Sequence, residues 1–386
     1  MPLLLVTEVF PPRRGGSGRW FWELYRRLSG ADVTVVAGPA EGSDEFDRSS
    51  PLRIERLENR PRTWGVLDPR SAAWQVSAAR RIRRLIASRR PVAIHCGKVL
   101  PEGVSALVAR VPRALPIWCF AHGEELTLAE TSRELRFLTR FVLRRAAKII
   151  ANSQNTRALL LERWRVPDGR VIVLTPGVDA TRFVPAQPDP AVRRRLGWNG
   201  RRVILTVGAL QKRKGQDMLI RALPSIRRQC PDVLYAIAGE GWERRYLEDL
   251  AAEQSVSDAV QFVGTPDERE LLHGYQQCDL FALPNRQVGW DFEGFGIALV
   301  EAQACARPVV TGRSGGTVET IIPNETGLSV PCETPEALAD ACVALLDDAP
   351  RRAAMGARGR AWVLERFDWA VLARAASAAF LGRAEA

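Results

Sequence analysis

The apolar and polar positions of the chain fall into two long runs in which short apolar strands alternate with amphipathic helices. The first run places strands at 3–9, 32–38, 52–57, 92–95, 117–120, 148–152 and 171–174, with helices at 20–28, 71–88, 102–110, 133–148 and 156–164. Residues 39–70 are otherwise polar, charged and broken by proline, and read as loop. Pro185, Pro188 and Pro190 mark a linker. The second run places strands at 203–207, 234–239, 260–264, 280–283 and 308–311, and helices at 216–228, 243–254, 268–278 and from about 296. Helices from 335, 351 and 369 finish the chain. Such alternation predicts two doubly wound, parallel-sheet α/β domains, at 1–185 and 186–368, and a terminal helix over 369–386 that crosses back to the first domain. A length of 386 residues also favours two cores over one.

Composition excludes some classes and leaves one question open. The chain has no run of eighteen apolar residues, so no membrane-spanning helix is expected. Its N-terminal stretch lacks the basic region and cleavage site of a signal peptide. Seven scattered cysteines without a Cys-x-x-Cys pair read as reduced thiols of a cytoplasmic protein. The net charge of +11 is unevenly placed. Residues 1–185 carry 31 Lys and Arg against 18 Asp and Glu, whereas residues 186–386 carry 24 against 26. Two helices concentrate this charge. One holds Arg80, Arg81, Arg83 and Arg84, and the other repeats Arg136, Arg140 and Arg144 at helical spacing beside Leu135, Leu138 and Val142. A solvated helix face and an anionic membrane surface explain these stripes about equally well. Aromatic interleaving is weak and no nucleic-acid motif is present, so nucleic acid is not an expected partner.

Candidate chemistry lies in the loops that follow strands, where open α/β sheets bind ligands. The first strand runs into Pro11-Pro12-Arg13-Arg14-Gly15-Gly16-Ser17-Gly18, a turn that serves either a positive backbone φ or the approach of a ligand. The strand at 117–120 runs into Ala121-His122-Gly123-Glu124-Glu125, and a His there is either structural or a ligand contact. The strand at 203–207 leads to Gly208-Ala209-Leu210-Gln211-Lys212-Arg213-Lys214-Gly215 and then a helix, which suits a diphosphate. Gly264-Thr265-Pro266 ends a strand at the same edge and can wall a nucleobase. Most informative is Phe292-Glu293-Gly294-Phe295-Gly296-Ile297-Ala298-Leu299-Val300-Glu301. With a helix starting near Gly296, the unpaired amides of its first turn face an anion, Glu293 stands before them, and Glu301 lies roughly 7–8 Å along the axis.

The Glu-x7-Glu element, the Lys214-Gly215-Gln216-Asp217 loop, His122-Gly123, Ser314-Gly315-Gly316 and Thr175-Pro176-Gly177-Val178-Asp179 together resemble glycosyltransferase family 4, the retaining GT-B enzymes. Within that family the likeness is to bacterial phosphatidylinositol mannosyltransferases and related cell-envelope mannosyl- and glucosyltransferases. The resemblance implies two Rossmann-like domains with a cleft between them, and transfer of a hexose, mannose as a first guess, from a GDP- or UDP-hexose to a lipid-linked or saccharide acceptor. It assigns Lys214 to the departing diphosphate and the amides of Phe295, Gly296 and Ile297 to the donor, with Arg213 a further candidate and Gly294 in the same turn. Glu293 falls to the sugar hydroxyls, Glu301 to the ribose, His122 to the transferred sugar and Gly16 to the donor phosphate. No Asp-x-Asp is present, so basic groups and a helix dipole are expected where other transferases use a metal, with no cofactor beyond the co-substrate. The implied location is the cytoplasm, with possible attachment to the inner membrane face. Two departures stand out: Pro176 replaces an Asn, and Ala209 replaces an Arg that neutralises the diphosphate, leaving Arg213 or Lys212 to compensate. Transfer to a soluble acceptor, a catalytically dead subunit and an anionic-surface binding protein are the competing readings.

Overall fold

A computed structural model describes residues 1–13, 15–59, 61, 63–111 and 113–382. Arg14 of the glycine-rich turn and the last four residues of the expected terminal segment lie outside the described residues. The chain splits into two compact units, one formed by Met1–Pro176 with the chain from Trp369 on, the other by Gly177–Asp368.

The first unit is built on seven parallel strands: β1 (Pro2–Thr7), β2 (Asp32–Ala37), β3 (Arg53–Arg56), β4 (Ala93–Cys96), β5 (Ile117–Ala121), β6 (Lys148–Ala151) and β7 (Val171–Val173). Their order is β3-β2-β1-β4-β5-β6-β7, so the winding reverses between β1 and β4. The second unit has β8 (Arg202–Val207), β9 (Val233–Ala238), β10 (Val260–Gly264), β11 (Leu280–Leu283), β12 (Val309–Gly312) and β13 (Gly327–Val330) in the order β10-β9-β8-β11-β12-β13. Here the winding reverses between β8 and β11. The interior strands are mostly apolar, and β9 and β11 are apolar and buried along their whole length, as parallel strands covered by helices tend to be. These two doubly wound parallel sheets match the fold class expected from the alternation.

Several boundaries differ from the sequence reading. The units part at Pro176–Gly177, before the proline-rich stretch taken as a linker near 185, because the intervening segment is tied into the second unit. The Val178 amide donates to the Phe367 carbonyl at 2.9 Å, and Phe183 is fully buried in that unit's core. The helix Trp369–Leu381 buries Trp369, Leu372, Ala376 and Phe380 among Trp20, Phe21, Tyr25 and Phe120 of the first unit. The loop expected at 39–70 contains a helix, Ser43–Ser49, which buries no residue and so leaves no apolar pattern to read. The basic helix ends at Arg145 instead of 148, since Lys148 opens β6.

Candidate functional site

Each unit gathers polar groups at the carboxyl edge of its sheet, beside its own reversal point. In the second unit the loops leaving β8 and β11 are pinned together. Gly215 adopts φ +75°, and a Cβ there would lie 1.8 Å from the Pro284 carbonyl oxygen, so only glycine lets the two loops meet. The Arg286 amide donates to the Arg213 carbonyl at 3.0 Å, and the Arg286 guanidinium grips both Asp217 oxygens at 2.8 and 2.7 Å. This bracing delivers Arg213 and Lys214 to Glu293. Lys214 Nζ lies 2.6 Å from Glu293 Oε2, and Arg213 Nη1 donates to that same oxygen. Arg213 Nε also pairs with Asp291 at 3.1 Å. Burial opposes the Glu293 charge, but the Lys214 and Arg213 cations outweigh it and hold the carboxyl below its ordinary value.

Behind Glu293 the chain turns through Gly296, at φ +89°, into the helix Ile297–Ala304. A Cβ on Gly296 would come within 2.9 Å of Thr317. The Gly316 amide donates to the Glu293 carbonyl at 3.0 Å, so the Ser314-Gly315-Gly316 turn holds Glu293 in place. Ser314 makes no side-chain capping bond to the short helical turn that follows it. Glu301 is 4% exposed and accepts from the Tyr275 hydroxyl at 2.6 Å. Gly264 closes β10 and Thr265 and Pro266 follow it; the Gly264 carbonyl accepts from the Gly239 amide at 2.6 Å. Ala209 is exposed in the β8 loop, and Gln216 Nε2 donates to its carbonyl at 3.1 Å. Of the two cations proposed to compensate for it, Arg213 joins the cluster while Lys212 faces solvent.

The first unit's edge is chemically different. The helix expected from 20 begins at Gly16, which places Gly16 and Ser17 in its first turn. His122 follows β5. Its Nε2 lies 2.8 Å from the Gly97 carbonyl, which can only accept, so Nε2 carries the proton and Nδ1 accepts from the Ser17 hydroxyl at 3.3 Å. Burial first, then the nearby Lys98 charge, brings His122 down to about 4, against the Gly97 bond. Glu102 Oε1 accepts from the Glu8 amide at 2.8 Å and Glu125 Oε1 from the His122 amide at 2.7 Å. Burial pushes both carboxyls up to about 7.

The basic helices keep mostly exposed faces. On Pro69–Arg89, Arg80 and Arg84 are exposed, Arg81 pairs with Glu55 at 3.2 Å and Arg83 donates to the Val108 carbonyl at 3.1 Å. A groove of about 490 Å³ runs along Arg80, Arg81 and Arg84 beside Arg56 and Glu58, on the β3 side, four strands from the β5 end that carries His122. Arg136, Arg140 and Arg144 are exposed on Arg133–Arg145, with Phe137 68% exposed among them. Among the described residues no helix is long and apolar enough to cross a membrane, and no group of three His, Cys, Asp or Glu side chains is placed to hold a metal ion. All seven cysteines are buried and free.

Comparison with known proteins decides the family. Residues 14–182 match the Glycosyltransferase Family 4 domain, and residues 189–362 match Glycosyl transferases group 1. This chain belongs to glycosyltransferase family 4. It is 35% identical, over 100% of its length and 99% of the relative's, to the GDP-mannose-dependent alpha-(1-6)-phosphatidylinositol monomannoside mannosyltransferase of Mycolicibacterium smegmatis. The protein of the same name from Mycobacterium tuberculosis is 36% identical over 96% of each chain. Among solved structures, Anabaena Alr3699/HepE in complex with UDP superimposes with a TM-score of 0.83 at 19% identity, covering 99% of this chain and 100% of that one, a likeness of fold. The chain is therefore a GT-B glycosyltransferase, and the enzymatic reading stands over the binding-protein alternatives.

Sequence reasoning missed Asp291, Tyr275, Ser17, Glu102 and the Arg286–Asp217 brace. Asp291 left one signal, an acid two positions before Glu293, in a chain whose β8 loop carries three adjacent cations.

Proposed function

We propose that this glycosyltransferase moves mannose from GDP-mannose, with retention, to a phosphatidylinositol mannoside or a related lipid-linked saccharide. The observation that carries the reading is the Arg213–Lys214–Glu293 cluster at the β8/β11 reversal point. Mannose and a phosphatidylinositol monomannoside acceptor are favoured because the two mycobacterial relatives, similar over nearly their whole length, are named for them.

In the proposed reaction the bond from the sugar's anomeric carbon to the β-phosphate oxygen breaks while the acceptor oxygen bonds the same carbon on the same face. The acceptor proton passes to the departing diphosphate, so no protein nucleophile is required. Charge builds on that diphosphate, and preorganised cations there supply the largest stabilisation. Lys214 and Arg213 fill this role, with the amides of Phe295, Gly296 and Ile297. Glu293 and Glu301 bind sugar and ribose hydroxyls, Gly294 lies in the same turn, and Gly264, Thr265 and Pro266 wall the base. The family resemblance assigns His122 to the transferred sugar and Gly16 to the donor phosphate. Arg80 and Arg84 on one helix, with Arg81 and Arg83 held in place by their partners, and Arg136, Arg140 and Arg144 on another make two basic helix faces suited to an anionic membrane, which fits a peripheral location at the cytoplasmic face.

Thermal unfolding with GDP, UDP and ADP, on wild type and Glu301→Ala, tests this. A ligand at about 100 times its Kd adds roughly 2.7 kcal/mol. GDP alone should raise the wild-type midpoint, and the rise should shrink in Glu301→Ala. A rise with UDP instead would replace the donor, and no rise with any nucleotide would sink the transferase reading of the site.

A further inference from the structure

Arg213 and Lys214 of the β8 loop do not wait open for a phosphate. Both converge on a single carboxylate oxygen, Glu293 Oε2, and Arg213 is held on its other side by Asp291 at 3.1 Å. The side chains of Arg213, Lys214 and Glu293 are only 14%, 13% and 12% exposed, so water screens these pairs weakly. Two cations and two carboxylates leave the cluster formally neutral. A diphosphate that enters must take Arg213 and Lys214 away from Glu293, and the freed carboxylate must then find donors or stand desolvated and unpaired.

We propose that Glu293 and Asp291 act as an internal stand-in for the diphosphate, making the site select a sugar-bearing nucleotide over the bare nucleotide and helping to expel the spent one. This deepens the donor reading above and rests on it for the identity of the base. A nucleotide sugar brings hydroxyls that donate to the released Glu293, so the exchange of partners is compensated. A bare nucleoside diphosphate brings none, and Glu293 returns to its cations. Once the hexose has left, the same return drives the diphosphate out. Asp291 keeps Arg213 turned toward Glu293 and contributes to the competition without touching sugar. Asp291 is thus a positioning residue, acting through Arg213, that the Glu-x7-Glu pattern does not contain.

Titration calorimetry of inorganic pyrophosphate, GDP and GDP-mannose against wild type, Glu293→Gln and Asp291→Asn tests the proposal. Glu293→Gln should bind pyrophosphate and GDP about tenfold tighter, the scale of removing one close charge partner, while binding GDP-mannose more weakly. Opposite signs separate the exchange from a general gain of positive charge, which would tighten all three. Asp291→Asn should tighten all three ligands by a few-fold, with circular dichroism confirming that both variants are folded. If Glu293→Gln leaves pyrophosphate and GDP unchanged or weaker, or tightens GDP-mannose equally, the stand-in is overturned. Pyrophosphate carries no base, so its tightening in Glu293→Gln without any GDP binding would uphold the stand-in and sink the GDP assignment instead.

Discussion

The two sheets reverse their winding in the same way, yet their carboxyl edges solve different electrostatic problems. At the β8/β11 edge, charge is kept: two cations and two carboxylates sit partly buried, and each depends on the others. At the β1/β4 edge, charge is removed. His122 is a neutral imidazole, and burial drives Glu102 and Glu125 toward their protonated forms. Topology therefore places a site without choosing its chemistry. The β1/β4 edge suits groups that exchange neutral hydrogen bonds, whereas the β8/β11 edge is built to trade one anion for another.

The sharpest way to break this comparison is to remove one cation from the charged edge. Lys214→Ala should lower kcat by about 10²–10³-fold, the loss seen when one preorganised partner of a developing oxyanion is deleted, as read by GDP release from GDP-mannose. A fall below tenfold would mean that Arg213 and the helix amides carry the leaving group without it.

Next comes the bracing that the charged edge requires. Gly215→Ala places a methyl 1.8 Å from the Pro284 oxygen at a backbone φ of +75°. The loops must then part, at a cost of about 3 kcal/mol, and the Arg213–Glu293 contact should go with them. Loss of the GDP-induced thermal shift, with a folded far-ultraviolet spectrum retained, is the expected result.

The two edges should also respond to pH in opposite senses. Glu102 and Glu125 have folded values raised to about 7 from an ordinary 4.5, so their contribution is complete below about 4.5 and is lost as pH rises through 7. Glu293 is held below its ordinary value, so its contribution is present above about 4.5 and is lost as pH falls below that. Glu102→Gln keeps an oxygen for the Glu8 amide but cannot ionise. It should flatten the fall in unfolding temperature between pH 5 and 8 by a few degrees. An unchanged slope would show that Glu102 is ionised in the folded protein.

Most of the fold was legible because each strand and helix announces itself locally. Glu293, Arg213 and Lys214 were legible for the same reason: each lies in a loop between a strand and a helix. What joins them was not. Arg213 and Glu293 are 80 residues apart, and they meet only because β8 pairs with β11, a neighbour that no local pattern specifies. The Tyr275–Glu301 bond is hidden likewise, since it links successive helices across their buried faces. The start of the helix at Gly16 was obscured because its first turn is glycine and serine, poor helix formers, and the apolar pattern begins only at Trp20. Glu124–Ala129 is six residues long, too short for its periodicity to register.

The smallest expected effect concerns Ala209, the family departure that most threatened activity. Its side chain is exposed in the loop after β8, and the loop is closed by the Gln216 bond to the Ala209 carbonyl, so an arginine can be accommodated there. Arg213 already supplies a second cation beside Lys214, and both are opposed by carboxylates. Ala209→Arg therefore adds a charge that is mostly solvated, worth about 0.2–1 kcal/mol, and should lower the KM for GDP-mannose no more than about fivefold with little change in kcat. A gain of a hundredfold in kcat would show instead that Arg213 is occupied in bracing Asp291 and Glu293 during turnover, and that the charged edge works one cation short.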